Sequence, residues 1–172
     1  MKTTTFAVAF LVACAMAVPT GWAQTSQDKE HAELAKALKD AKIPLQRGLT
    51  ASAKEGKPIS AKYEVEDGKL QLSVYTMKGG DKFSEVIVDH KTGKVSKTQP
   101  ITQGDDLTHA KAQSEAMAKA KRSLDAATVE ALKENKGYRA VSVMPALKDG
   151  HPVAEVELVK GADWKTVSEK LD

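Results

Sequence analysis

The sequence predicts an α+β fold of two tandem units, each with two helices followed by a three-stranded antiparallel sheet. Three observations carry this prediction. Apolar residues recur first at helical spacing and then at every second residue, and this succession occurs twice along the chain. Turn signals repeat in one register: Asp67-Gly68 matches Asp149-Gly150, and Lys78-Gly79-Gly80-Asp81 matches Lys160-Gly161-Ala162-Asp163, both 82 residues apart. A glycine closes the helical part of each unit, Gly56 in the first and Gly137 in the second, 81 residues apart. The units are placed at 24–97 and 106–172, the second cut short at its C-terminus, with a linker at 98–105.

Composition narrows the function classes. Of 172 residues, 41% are apolar, 28% charged and 5% aromatic, ordinary proportions for a folded globular chain. The net charge of +3 is too small to gather nucleic acid, so no nucleic-acid partner is expected. Cys14 stands alone, and neither an internal disulfide nor a thiolate metal cage can form.

Residues 1–23 read as a signal peptide. Lys2 precedes thirteen consecutive apolar residues at 6–18, and Gly21-Trp22-Ala23 offers small side chains where a signal peptidase requires them, with cleavage after Ala23. Thirteen residues span about 20 Å as a helix, short of the roughly 30 Å hydrocarbon core. The expectation is a periplasmic or secreted protein. Leu11-Val12-Ala13-Cys14 offers a second reading, a lipoprotein signal with Cys14 lipidated; membrane contact is expected only in that case. Against it, the apolar run continues through Ala15-Met16-Ala17-Val18 instead of turning polar.

In the first unit, Leu34, Ala37, Leu38 and Ala41 recur at helical spacing, predicting a helix over 25–42 that Ser26 can cap. Pro44 prevents its simple continuation and suits the first turn of a second helix over 44–55, with Leu45, Leu49 and Ala53 on one stripe. After Gly56 the period becomes 2. Ile59, Ala61, Tyr63 and Val65 alternate with polar residues, Asp67-Gly68 makes a hairpin, and Leu70, Leu72, Val74 and Thr76 alternate again. Gly79-Gly80-Asp81 leads into a third strand over 82–89, which ends in the turn Lys91-Thr92-Gly93-Lys94 before Val95. The polar run from Ser96 to Gly104, containing Pro100, reads as linker.

The second unit begins with Asp105 or Asp106 as a cap and with Ala110, Met117, Ala120 and Leu124 at helical spacing. Ser123 and Asp125 predict a break there, separating two helices before Gly137. An extended stretch at 138–147, the Asp149-Gly150 turn, and Ala154, Val156 and Leu158 as an inward face complete the series. Each unit alone is about 65–75 residues, marginal for an independent core, so the two are expected to pack together. Phe83 and Trp164 lie two residues and one residue after the matched turn signal, an offset that suggests opposite faces.

The helical pair followed by Gly56-Lys57-Pro58-Ile59, Ala61-Lys62-Tyr63-Glu64-Val65, Leu70-Gln71-Leu72-Ser73-Val74 and Glu85-Val86-Ile87-Val88-Asp89-His90-Lys91-Thr92-Gly93-Lys94-Val95 resembles the PepSY domain family. Residues 44–97 carry the match; 107–172 follow the same order of elements without the terminal Thr-Gly-Lys turn. The resemblance implies helices laid on one face of a short antiparallel sheet, and tandem copies look like the architecture of the β-lactamase inhibitor protein. It also implies an exported protein that binds or restrains a peptidase or another protein, and it brings no catalytic residues.

No Gly-x-Ser-x-Gly elbow, His-Glu-x-x-His pair, Walker-type loop or Gly-x-Gly-x-x-Gly stretch occurs in the chain. Gly79-Gly80 joins strand to strand and lacks the helix N-terminus that would hold a phosphate. His31, His90, His109 and His151 have no ligand spacing, so no metal, cofactor or catalytic residue is expected. His31 and His109 read as solvated positions in early helical turns. Asp89 beside His90 is the one candidate acid–base dyad, with turn shaping by Asp89, Thr92 and Gly93 as the plainer reading. Lys111, Lys119, Lys121 and Arg122 form a basic helix surface, with Glu115 placed to pair with Lys119. The expectation is a non-enzymatic module that binds a protein, a peptidase among the candidates, through a sheet edge or a helical face. An envelope sensor or structural accessory is the alternative.

Overall fold

The computed structural model describes residues 21–172, with side chains from Gln27 onward. The apolar run at 6–18 and Cys14 lie outside the described residues, and Gly21-Trp22-Ala23 opens the first described helix. The elements in order are α1 (Gly21–Ala37), a short 3-10 turn (Leu38–Asp40), α2 (Leu45–Ser52), β1 (Lys57–Glu66), β2 (Lys69–Met77), β3 (Phe83–Val88), β4 (Val95–Ile101), α3 (Gly104–Lys119), α4 (Leu124–Glu134), β5 (Arg139–Lys148), β6 (His151–Lys160) and β7 (Asp163–Lys170).

Local chemistry explains most of these boundaries. Pro44 sits at the N-cap of α2 with extended backbone, φ −78° and ψ 160°, as its ring and missing N–H favour. The buried stripe of α2 is Leu45, Gly48, Leu49 and Ser52, so the helix stops short of the expected 55 and Ala53 is exposed. Ser52 takes the buried place because its hydroxyl donates to the Leu49 carbonyl at 3.1 Å. Ser123 caps α4 as its sequence suggests, accepting from the Ala126 N–H at 3.1 Å, and the chain breaks between α3 and α4. The cap of α3 differs: Gln103 holds that position without a side-chain bond, and Asp105 and Asp106 lie in the first turn, favourable to the helix dipole. Both Asp-Gly turns place both residues at positive φ: Asp67 49°, Gly68 72°, Asp149 52° and Gly150 81°.

The strands overturn the two-unit architecture. All seven belong to one antiparallel sheet in the order β4-β3-β2-β1-β5-β6-β7. β1 and β5, expected to lead two separate sheets, are neighbours, with Ala61 opposite Val143 and Lys62 opposite Ser142. Separate three-stranded sheets would each expose two backbone edges; joining them converts two edges into interior ladder and leaves one pair for the molecule. The segment read as linker also differs. Residues 95–101 form β4, pairing with β3 from Val88 opposite Val95 to Phe83 opposite Ile101.

Register and contacts assign the faces. Ala61, Leu72, Val74, Val86, Val143, Val156 and Leu158 share one face and are fully buried. α2 lies on it, with Gly48 so close that an added Cβ would stand 2.7 Å from Leu72 Cδ2. α4 covers the same face over β5–β7, where its Glu130 and Glu134 influence the Glu169 carboxyl. The other face carries Ser60, Tyr75 and Met77 on one side and Glu157, Val159 and Trp164 on the other. α3 touches it through Gln113, which accepts from Ser60 Oγ at 2.7 Å, and Ser114, whose hydroxyl reaches Met77 Sδ at 2.9 Å. α1 touches it through His31. Ile59 and Val141 are the extra residues of two matching bulges, and both are fully buried.

Phe83 and Trp164 therefore share a face, contrary to the expectation from their offset. Met77 pairs with Phe83 across a five-residue turn, whereas Lys160 pairs with Asp163 across two residues, and the shorter connection cancels the one-residue difference.

Candidate protein-docking groove

Because α1 and α2 lie on opposite faces, the chain between them must pass around the end of the sheet. Arg139, at the start of β5, holds that passage. Its guanidinium donates to the carbonyls of Leu38 at 3.0 Å, Ile43 at 2.8 Å and, more weakly, Ala41 at 3.5 Å. It also lies 5.1 Å from the centroid of the Tyr63 ring, whose hydroxyl donates to the Ile43 carbonyl at 2.7 Å. Burial pushes the Tyr63 phenol up, partly opposed by the Arg139 charge. The His90 carbonyl receives the N–H groups of Lys42 and Ile43 at 2.9 and 3.3 Å.

The clamp sets α1 against β1 and β2 and leaves an open groove of about 830 Å³ between α1 and the ends of β5–β7. Ala32, Ala35, Leu38, Val159 and Trp164 give it an apolar lining, while Asp28, Lys36, Lys39 and Lys160 supply charge at its borders. His31 stacks on Trp164, ring centroids 4.0 Å apart and 7° from parallel, and its Nε2 lies 3.1 Å from Glu157 Oε1. Ser142 Oγ donates to the other oxygen of Glu157 at 3.4 Å. Beyond the groove, Tyr138 donates to Asp163 and carries Lys165 4.2 Å from its ring centroid.

A second groove, about 990 Å³, lies on the other side of α1. It is lined by charges of both signs, including Glu33, Lys36, Asp40, Glu66, Lys69 and Asp89, which water solvates well. The sheet face between α1 and α3 is polar too: Lys62 pairs with Glu64 at 2.6 Å, and Glu85 accepts from Gln71 and Gln99 at 3.4 and 2.9 Å. Burial, followed by the nearby Glu85 carboxylate, pushes the Tyr75 phenol far above its ordinary value.

The residues singled out in the sequence fall in different places. Asp89 spends Oδ1 on the Lys91 and Thr92 N–H groups and the Thr92 hydroxyl, at 3.1, 2.6 and 2.7 Å, which holds its carboxyl below the usual range. With Gly93 at φ 72°, this is turn chemistry, and Asp89 and His90 are not brought together as a dyad. His31 is not simply solvated, since Trp164 and Glu157 engage it. His109 is half-buried in α3, and His151 Nδ1 meets Asp172 Oδ2 at 2.9 Å. Lys111, Lys119 and Lys121 are exposed, but Arg122 donates to the Lys170 carbonyl at 3.0 Å and so fastens β7. Among the described residues no group of three or more His, Cys, Asp or Glu could hold a metal ion. The groove was invisible in sequence because His31 and Glu157 are 126 positions apart.

No family model matches the chain. Nor does any curated protein match it. Among solved structures, a lipoprotein candidate from Clostridium difficile 630 aligns with a TM-score of 0.43 and 14% identity, covering 77% of this chain and 89% of that one. Among the described residues, no helix is long and apolar enough to cross a membrane.

Proposed function

We propose that the protein is an exported, non-enzymatic module that binds another protein along the groove between α1 and β5–β7. The observation that carries this reading is the lining of that groove: small apolar residues and one tryptophan bordered by charges of both signs. That distribution matches an interface with an apolar centre and a polar rim, with Trp164 as its anchor. Export rests on the apolar run behind Lys2, and restraint of a peptidase is the first use to test, on the resemblance of residues 44–97 to PepSY domains.

The test is capture from an envelope fraction by the wild type, by Ala32→Glu and by Trp164→Ala. Ala32 is exposed on α1, so its replacement leaves the core intact. Recovery of one stoichiometric protein by the wild type alone supports the reading, and slower hydrolysis by that protein on adding the module identifies it as a restrained peptidase. Equal recovery by all three proteins overturns groove binding. A groove-dependent partner whose activity is unaffected identifies an accessory without inhibitory action.

A further inference from the structure

The two ends of the sheet differ in a way that bears on self-association. β4 contains Pro100, which lacks a backbone donor, and Lys97 as its one charge. β7 has no proline and carries Asp163, Lys165, Glu169 and Lys170. The Leu171 N–H donates to the Pro152 carbonyl at 3.0 Å. In an antiparallel ladder the bonded positions alternate, and the β6–β7 register is unbroken, so Val167 and Glu169 also bond inward. The N–H and C=O groups of Trp164, Thr166 and Ser168 therefore point outward, as does Lys170, whose carbonyl receives Arg122.

We infer that β7 docks edge to edge with β7 of a second copy of this chain, with Val167 opposite its own counterpart across a twofold axis. The pleat and the charges select this register. Opposed residues must share a face, so the two positions in a pair must sum to an even number. Centring on Val167 satisfies that rule and sets Lys165 opposite Glu169 twice, Trp164 opposite Lys170 twice, and Thr166 opposite Ser168 twice. Moving the centre to Thr166 or Ser168 loses the Lys165–Glu169 pairs. The Thr166 and Ser168 pairs then exchange backbone hydrogen bonds, while Val167 occupies the closer, non-bonded position. Glu169 has reason to take a cation there: it lies near Glu130 and Glu134, with Arg122 alone among nearby groups opposing them. Lys165 lies over Tyr138 on the same face and faces the partner's carboxylate in this register.

Sedimentation equilibrium of the protein tests the interface. The wild type is expected to dimerise between micromolar and millimolar concentration. Lys165→Glu alone and Glu169→Lys alone each set like charges opposite one another twice, and each weakens self-association by about tenfold, equivalent to about 1.4 kcal/mol. An equimolar mixture of these two variants restores the dimer, because each chain then supplies the charge the other lacks. Thr166→Pro removes an outward N–H without removing a bond to β6, and abolishes association; circular dichroism of each variant checks that the fold is kept. A wild type that stays monomeric, reversals without effect, a mixture that stays monomeric, or a folded Thr166→Pro variant that still dimerises overturns the inference.

Discussion

Replacing Arg139 by Met removes the guanidinium that ties the α1–α2 passage to the sheet while keeping most of the side-chain stem. Two of its three carbonyl contacts are short, 3.0 Å to Leu38 and 2.8 Å to Ile43. A hydrogen bond from a charged donor contributes about 1.5–3 kcal/mol, and water recovers part of that at these part-buried carbonyls. Adding about 0.5–1 kcal/mol for the contact with Tyr63 gives a total near 3 kcal/mol. In a chain of this size that lowers Tm by roughly 6–12 °C. Arg139→Lys keeps a charge but not the planar fork, and is expected to recover about a third of the loss. Thermal and urea unfolding followed by circular dichroism measure the global effect. Tryptophan fluorescence reports whether the ring of Trp164 has lost its stacking with His31 as α1 loosens. A loss below about 0.5 kcal/mol in the Met variant, or full replacement by Lys, refutes the reasoning that directed hydrogen bonds hold the passage.

Two further outcomes follow from single contacts. Gly56→Ala is expected to destabilise by about 1–3 kcal/mol, measured by urea unfolding, because its Cβ would stand 2.8 Å from the Met77 backbone oxygen, and a strand backbone yields less than a side chain. Burial, followed by the charge of Glu134, holds the Glu169 carboxyl above its ordinary value. A raised acid stabilises the fold below its unfolded pKa and loses that contribution as pH rises through its folded pKa. Glu169→Gln should therefore stabilise the dilute protein at neutral pH by roughly a few tenths of a kcal/mol after solvent screening, read as a higher Tm, and melting curves at successively lower pH should show the gain vanish near pH 4.

The elements most legible in the sequence are those whose cause is local. Pro44 fixes the start of α2, Ser123 the start of α4, and the two Asp-Gly pairs the tight hairpins, because each acts on neighbouring backbone groups. β4 was missed for a physical reason: as an edge strand it is exposed along most of its length, and Val-Ser-Lys-Thr-Gln-Pro-Ile shows no inward alternation. At the candidate groove, the sequence marks Trp164 beside the matched turn signal but not the residue it meets. A histidine in a polar helix gives no sign of the aromatic ring it will stack on.

By itself the sequence determined where most turns fall and which segments, β4 apart, coil or extend, because period, proline, glycine and capping chemistry act within a few residues. Tertiary structure alone decided that β1 pairs with β5, that α1 and α2 lie on opposite faces, and that His31 meets Trp164 and Glu157. Several strands carry a similar apolar alternation, so their patterns do not specify neighbours. That choice falls to the arrangement that buries the most backbone edge and apolar surface for the whole chain at once.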